Sequence, residues 1–151
     1  DAVTLLPQGA PDFTVTTLGT YHDNEQGAKR GPNLVFVYEV EGMRIVHCGD
    51  LGHVPTKEQA KLIGKPDVLL LPGGGFYTID AASAAEICRR IAPRIVIPMH
   101  YKTAVNADWP ITPVTDFLAL MNAQDAPQMP LLRVTKEDLS EQPALIVLSD
   151  R

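Results

Sequence analysis

The sequence predicts an α/β domain in which a mixed β-sheet is flanked by helices. Three observations point there. From Met43 onward the chain alternates strand, helix, strand, helix, strand. The strand candidates at 68–71 and 94–97 are almost continuously apolar, as in strands buried on both faces. The connections between them are short crossovers of the kind that give right-handed parallel βαβ units. Composition agrees, with 45% hydrophobic and 21% charged residues, the balance of a soluble globular protein. At 151 residues the chain suits one domain, taken as 1–151.

The elements follow in order. Phe13 to Leu18 reads as a β-rich strand, and 19–33 as a polar, glycine-containing loop that carries His22. Leu34 to Val40 and Met43 to Cys48 form a hairpin pair joined at Glu41-Gly42, with glycine supplying positive φ. Thr56 offers an N-cap with Gln59 three residues on, so a short helix runs to Ile63 and stops at Gly64. Asp80 caps an alanine-rich helix that ends before Pro93, and Val114 to Ala123 is a further helix. Leu131 to Val134 and Ala144 to Leu148 are expected as closing strands. No repeat, low-complexity tract or linker interrupts this order.

The formal charge of −5 argues against nucleic-acid and acidic-membrane partners, both of which favour a basic face. No apolar run approaches the ~18 residues of a membrane span. Cys48 and Cys88 form no C-x-x-C pair, which fits a reducing compartment and the cytoplasm, and both read as packing residues. The chain opens at Asp1 rather than at methionine, so an upstream segment is expected.

In open α/β sheets the ligand site lies beyond the carboxyl ends of the strands. Here those ends read His47-Cys48-Gly49-Asp50, Pro72-Gly73-Gly74-Gly75 and Pro98-Met99-His100. Asp50 lies between Gly49 and Gly52, and its carboxylate can bridge two cations or simply cap a turn. Taken alone, His100 reads as a hydrogen-bonded structural histidine and His22 as an exposed one. Together with Asp50 they match the imidazole-plus-carboxylate set that zinc prefers. His47 shares a face with Met43 and Ile45, so a packing or supporting role is the default. His53 is either a loop histidine or a group that orients substrate or donates a proton. Gly73-Gly74-Gly75 has neither a P-loop lysine nor a G-x-G-x-x-G pattern; it is a tight turn whose amides would suit an anion.

The motifs Tyr21-His22-Asp23, Arg30-Gly31-Pro32-Asn33, Gly49-Asp50-Leu51-Gly52-His53, the run from Pro72 through Gly74, Gly75, Tyr77 and Thr78 to Asp80, and Pro98-Met99-His100-Tyr101 carry a resemblance. Over residues 13 to 105 the chain resembles a bacterial branch of the metallo-β-lactamase superfamily. That branch holds zinc-dependent hydrolases similar to the lactonase acting on ascorbate 6-phosphate. The resemblance implies half of an αββα sandwich, with His22 on a first metal, His100 on a second and Asp50 bridging them. It implies two zinc ions, or manganese or another divalent metal. Gly74, Gly75, Tyr77, Thr78 and Tyr101 would line the substrate pocket, with Asp50, His53 and Tyr101 assisting catalysis.

One departure matters. The family's His-x-His-x-Asp-His signature is absent, and with it two ligands to each metal. The reading is therefore a metal-dependent hydrolase of esters, lactones or phosphodiesters, completed by a missing N-terminal half. Its substrate would be a small, anionic molecule. The alternative is a metal-binding or interaction remnant without catalysis. Strands apolar on both sides, with helices for one face only, also lead us to expect pairing with the missing half or self-association.

Overall fold

The computed structural model describes residues 2–6, 9 and 12–149. Its organising unit is the hairpin of β3 (Pro32–Val40) and β4 (Met43–His47). Glu41 and Gly42 both take positive φ, 49° and 72°, the pair of values that a two-residue turn needs to match strand twist. β2 (Phe13–Tyr21) pairs antiparallel with β3, and β1 (Ala2–Leu5) with β2. β5 (Val68–Pro72) and β6 (Ile95–Met99) then add in parallel beside β4, giving a six-stranded mixed sheet in sequence order.

α1 (Lys57–Ile63) begins at Thr56 with the complete capping box expected of it, Thr56 and Gln59 exchanging side-chain-to-backbone hydrogen bonds. It ends at Gly64, where the Arg44 guanidinium donates to the carbonyls of Ile63 and Leu62. α2 (Ala81–Ile91) is capped by Asp80 and buries Ala81, Ala84, Ala85, Ile87, Cys88 and Ile91, one stripe at helical spacing. α3 (Val114–Leu120) packs beside it. These helices close over one sheet face, burying Val35, Val37, Val46, Leu69, Leu71 and Val96. No helix of the described residues is long and apolar enough to cross a membrane.

The structure corrects several boundaries. β2 continues through Gly19, Thr20 and Tyr21 in register with Leu34, Asn33 and Pro32, so His22 leaves directly from a strand end rather than from mid-loop. α3 stops three residues earlier than expected. Leu131 to Val134 forms no strand: Leu132 and Val134 pack against Val68, Ile95 and Ile97 instead. The closing ladder is β7 (Gln128–Met129) with β8 (Val147–Leu148), and Leu145 bridges Val96. Burial favoured covering β5 and β6 over extending a ladder.

That C-terminal cover reaches only the parallel half of the second face. Over the antiparallel half, strand alternation puts Val3, Leu5, Leu34, Phe36 and Tyr38 on one side. Val3, Leu5 and Leu34 are 55%, 58% and 46% exposed, and Tyr38 stacks on both Phe13 and Phe36 at 6.2 Å. A soluble monomer rarely presents so continuous an apolar sheet face. We expect the 151-residue chain to sediment as a concentration-dependent oligomer, and Leu34→Lys with Phe36→Lys to shift it toward monomer with unchanged circular dichroism. A monomer at every concentration would contradict this.

Candidate metal centre

Three backbone devices hold the candidate ligands. The first begins one residue after β2. The Asp23 side chain is buried and accepts four backbone N–H groups: Oδ1 from Glu25 and Gly27 at 2.8 Å, Oδ2 from Lys29 at 2.9 Å and Arg30 at 2.8 Å. Burial pushes this carboxyl upward, but the four N–H donors outweigh it and hold the pKa at about 2. The loop after His22 is thereby wound around one anion. Its other side meets Gly52, where an added Cβ would lie 2.1 Å from Asp23 N and 2.2 Å from His22 C.

The second device is Asn33. Its Oδ1 accepts the Asp50 N–H at 2.9 Å, while Nδ2 donates to the Thr20 hydroxyl at 2.9 Å and the Cys48 carbonyl at 3.0 Å. Asn33 thus fixes the turn that presents the exposed Asp50. The sequence reading gave it no role, though an asparagine near the start of a strand is a signal, because strands are depleted of it.

The third holds His100, which directly follows β6 at φ 54°, a left-handed value that non-glycine residues rarely adopt. Gly74 lies against it so closely that a Cβ would stand 2.1 Å from the His100 carbonyl oxygen. Thr112 clamps the other side, donating both its N–H at 2.8 Å and its hydroxyl at 3.3 Å to the Gly74 carbonyl.

Two of the ring nitrogens so positioned, His22 Nε2 and His100 Nδ1, are buried and have no hydrogen-bond partner. Leaving a buried polar group unsatisfied costs about 1–3 kcal/mol, and a cation is a natural partner for an imidazole lone pair. The donor chemistry therefore fits a divalent metal. Asp50 and His100 line one concavity together with His47, while His22 lines a neighbouring cavity of about 400 Å³ with His53, Tyr77 and Thr78. Among the described residues no three His, Cys, Asp or Glu side chains form a group able to hold a metal ion. The trio expected from sequence is thus not a self-sufficient site.

Other expectations change. His53 accepts the Tyr21 N–H at Nε2 (3.2 Å), and its Nδ1 lies 3.0 Å from the Val54 carbonyl. These contacts let His53 brace the end of β2. The Tyr101 hydroxyl donates to the Leu148 carbonyl at 3.2 Å, tying β6 to β8. The Gly75 N–H donates to Ile79 and that of Gly73 to Met99, so these two amides face the protein. Gly74 shapes His100, whereas Tyr77 and the buried Thr78 do line the His22 cavity. A hollow of about 460 Å³ near Lys65, Arg94 and Lys136 contains no histidine, and its Asp67 is paired with Lys136.

The chain belongs to the β-lactamase superfamily: residues 8–100 match the Beta-lactamase superfamily domain. Within it, the UPF0173 metal-dependent hydrolase of Thermoplasma acidophilum is 39% identical over 87 residues, 58% of this chain and 38% of that protein. The corresponding hydrolase of Cupriavidus taiwanensis is 32% identical over 117 residues, 69% of this chain and 41% of that protein. A Thermotoga maritima structure, regarded as a Zn-dependent hydrolase of the metallo-β-lactamase superfamily, superposes with a TM-score of 0.70 at 35% identity. It is covered over 64% of its length by 90% of this chain. The chain therefore spans well under half the length of these two curated relatives.

Two predictions follow from the packing. Gly74→Ala should destabilise the fold by about 1–3 kcal/mol or more, as overpacking does. Gly73→Ala is the control, since its Cβ would meet Ala84 at an ordinary 3.8 Å, and should be nearly neutral. Equal melting temperatures for the two variants would refute the clamp.

The second concerns the core thiols. Burial pushes Cys48 from 9.0 to about 12, with Cys88 nearby adding to it, and burial likewise pushes Cys88 to about 12. A raised thiol pKa contributes stability that is complete below about 9 and is lost as pH rises toward 12. Both thiols should resist iodoacetamide at pH 8 until the chain unfolds, which mass spectrometry of labelled protein would show.

Proposed function

We propose that this chain forms part of the active centre of a metal-dependent hydrolase in which His22, Asp50 and His100 would hold divalent metal. The observation that carries the reading is the pair of buried, unpartnered nitrogens, His22 Nε2 and His100 Nδ1. The donor set favours zinc, with manganese or another divalent metal as the substitute. A divalent cation supplies Lewis acidity there and makes water acidic near neutral pH, which suits hydrolysis of an ester, lactone or phosphodiester.

This chain's own residues do the positioning. Asp23 winds the loop that presents His22, Asn33 aims the Asp50 turn, and Gly74 sets His100 in its left-handed conformation. Tyr77 and Thr78 form the wall beside His22. Catalytic zinc sites usually have three protein ligands, so further ligands must come from a segment outside these residues.

Metal analysis and turnover of the full-length protein test this. His22→Ala and His100→Ala should each lose bound zinc, and Asp50→Ala should abolish nearly all turnover. His53→Ala, which removes a brace, should retain metal and cost about 10–100-fold. Full zinc occupancy in both His22→Ala and His100→Ala would overturn the ligand assignment.

A further inference from the structure

The cavity beside His22 contains a cation that the metal reading does not use. Arg30 ends the loop wound around Asp23, its own N–H held at 2.8 Å by Asp23 Oδ2. Its guanidinium carbon lies 5.9 Å from the Phe76 ring centroid and 5.7 Å from that of Tyr77. Among the described residues it makes no ion pair. The two carboxylates lining the same cavity are engaged elsewhere: Asp23 by its four backbone donors, and Asp80 by the Ser83 N–H at 2.8 Å, the cap of α2.

Phe76 strengthens the case. It sits at φ 61°, a conformation bulky side chains rarely take, yet it is 60% exposed, so core packing does not explain it. Its ring meets Tyr77 edge-on at 4.8 Å and lies under the guanidinium. Uncommon backbone conformations of this kind cluster at functional sites. A guanidinium held over aromatic rings keeps its N–H edges available for a bidentate oxyanion.

We propose that Arg30, seated on the Phe76 and Tyr77 rings beside His22, binds an oxyanion of the substrate, which is therefore a compound carrying a phosphate or carboxylate group. The inference deepens the hydrolase reading, since it places a specificity residue in the same site. It also explains how a chain of net charge −5 accepts an anion: the charge is collected locally on one unpaired guanidinium.

The test avoids both metal and turnover. The chain, kept in a chelator at low ionic strength, is titrated with inorganic phosphate and separately with acetate. The readout is Trp109, the single tryptophan, whose ring lies 6.1 Å from that of Tyr77. Wild type should show a saturable change with at least one anion. Arg30→Gln should weaken it about tenfold or more, as loss of a charged hydrogen-bond partner does. Arg30→Lys, which keeps the charge without the planar fork, should fall between. Preference for phosphate assigns a phosphate ester, and preference for acetate a carboxylate. Equal affinity in Arg30→Gln and wild type, or no saturable response from wild type, would overturn the proposal. Because no metal is present, failure of the zinc experiments leaves this titration readable and separates the two readings.

Discussion

Gly74 approaches the His100 carbonyl so closely that even a methyl group would stand 2.1 Å from the oxygen. The backbone at both candidate histidine ligands is held by a contact of that kind. Gly52 presses equally hard on the backbone between His22 and Asp23. In each case the histidine is set by its main chain, which leaves the imidazole free of protein hydrogen bonds. The His22 Nε2 and His100 Nδ1 atoms are buried and unpartnered because the scaffold around them is already satisfied.

Local features were legible because their causes are local. The Thr56–Gln59 capping box, the Asp80 cap and the Gly64 stop are written within a few positions of one another. The buried parallel strands announce themselves by continuous apolar runs. β1 did not, since all four of its residues are exposed and its identity rests on pairing with β2. The same limit explains the site. His53 and Tyr101 looked chemically available, but their partners, Tyr21 and Leu148, lie 32 and 47 positions away. Asp23 and Asn33, quoted only within motifs, received no role of their own for the converse reason: most of their partners are backbone groups, which every sequence possesses.

The open sheet face and two of the candidate ligands, Asp50 and His100, lie side by side. β1 to β4 leave an apolar surface with Leu34 and Phe36 near one end, and Asp50, His47 and His100 border Leu34 and Phe36 in a single concavity. A second layer laid on that face would therefore meet the edge where donors are lacking. Packing and coordination would be completed by one event.

The strand order has a consequence for how the centre comes into being. β2, β3 and β4 join through neighbouring hairpins, whereas β5 and β6 must wait for crossovers and for closure by β8, dozens of residues away. Contacts between near neighbours in sequence form faster than distant ones, because less chain entropy is lost in closing the loop. His22 and Asp50 belong to the early, antiparallel part and His100 to the late, parallel part. In the proposed centre, two of this chain's three donors would be in place before His100 joins them. A cation held there would join an already assembled sheet instead of guiding its assembly.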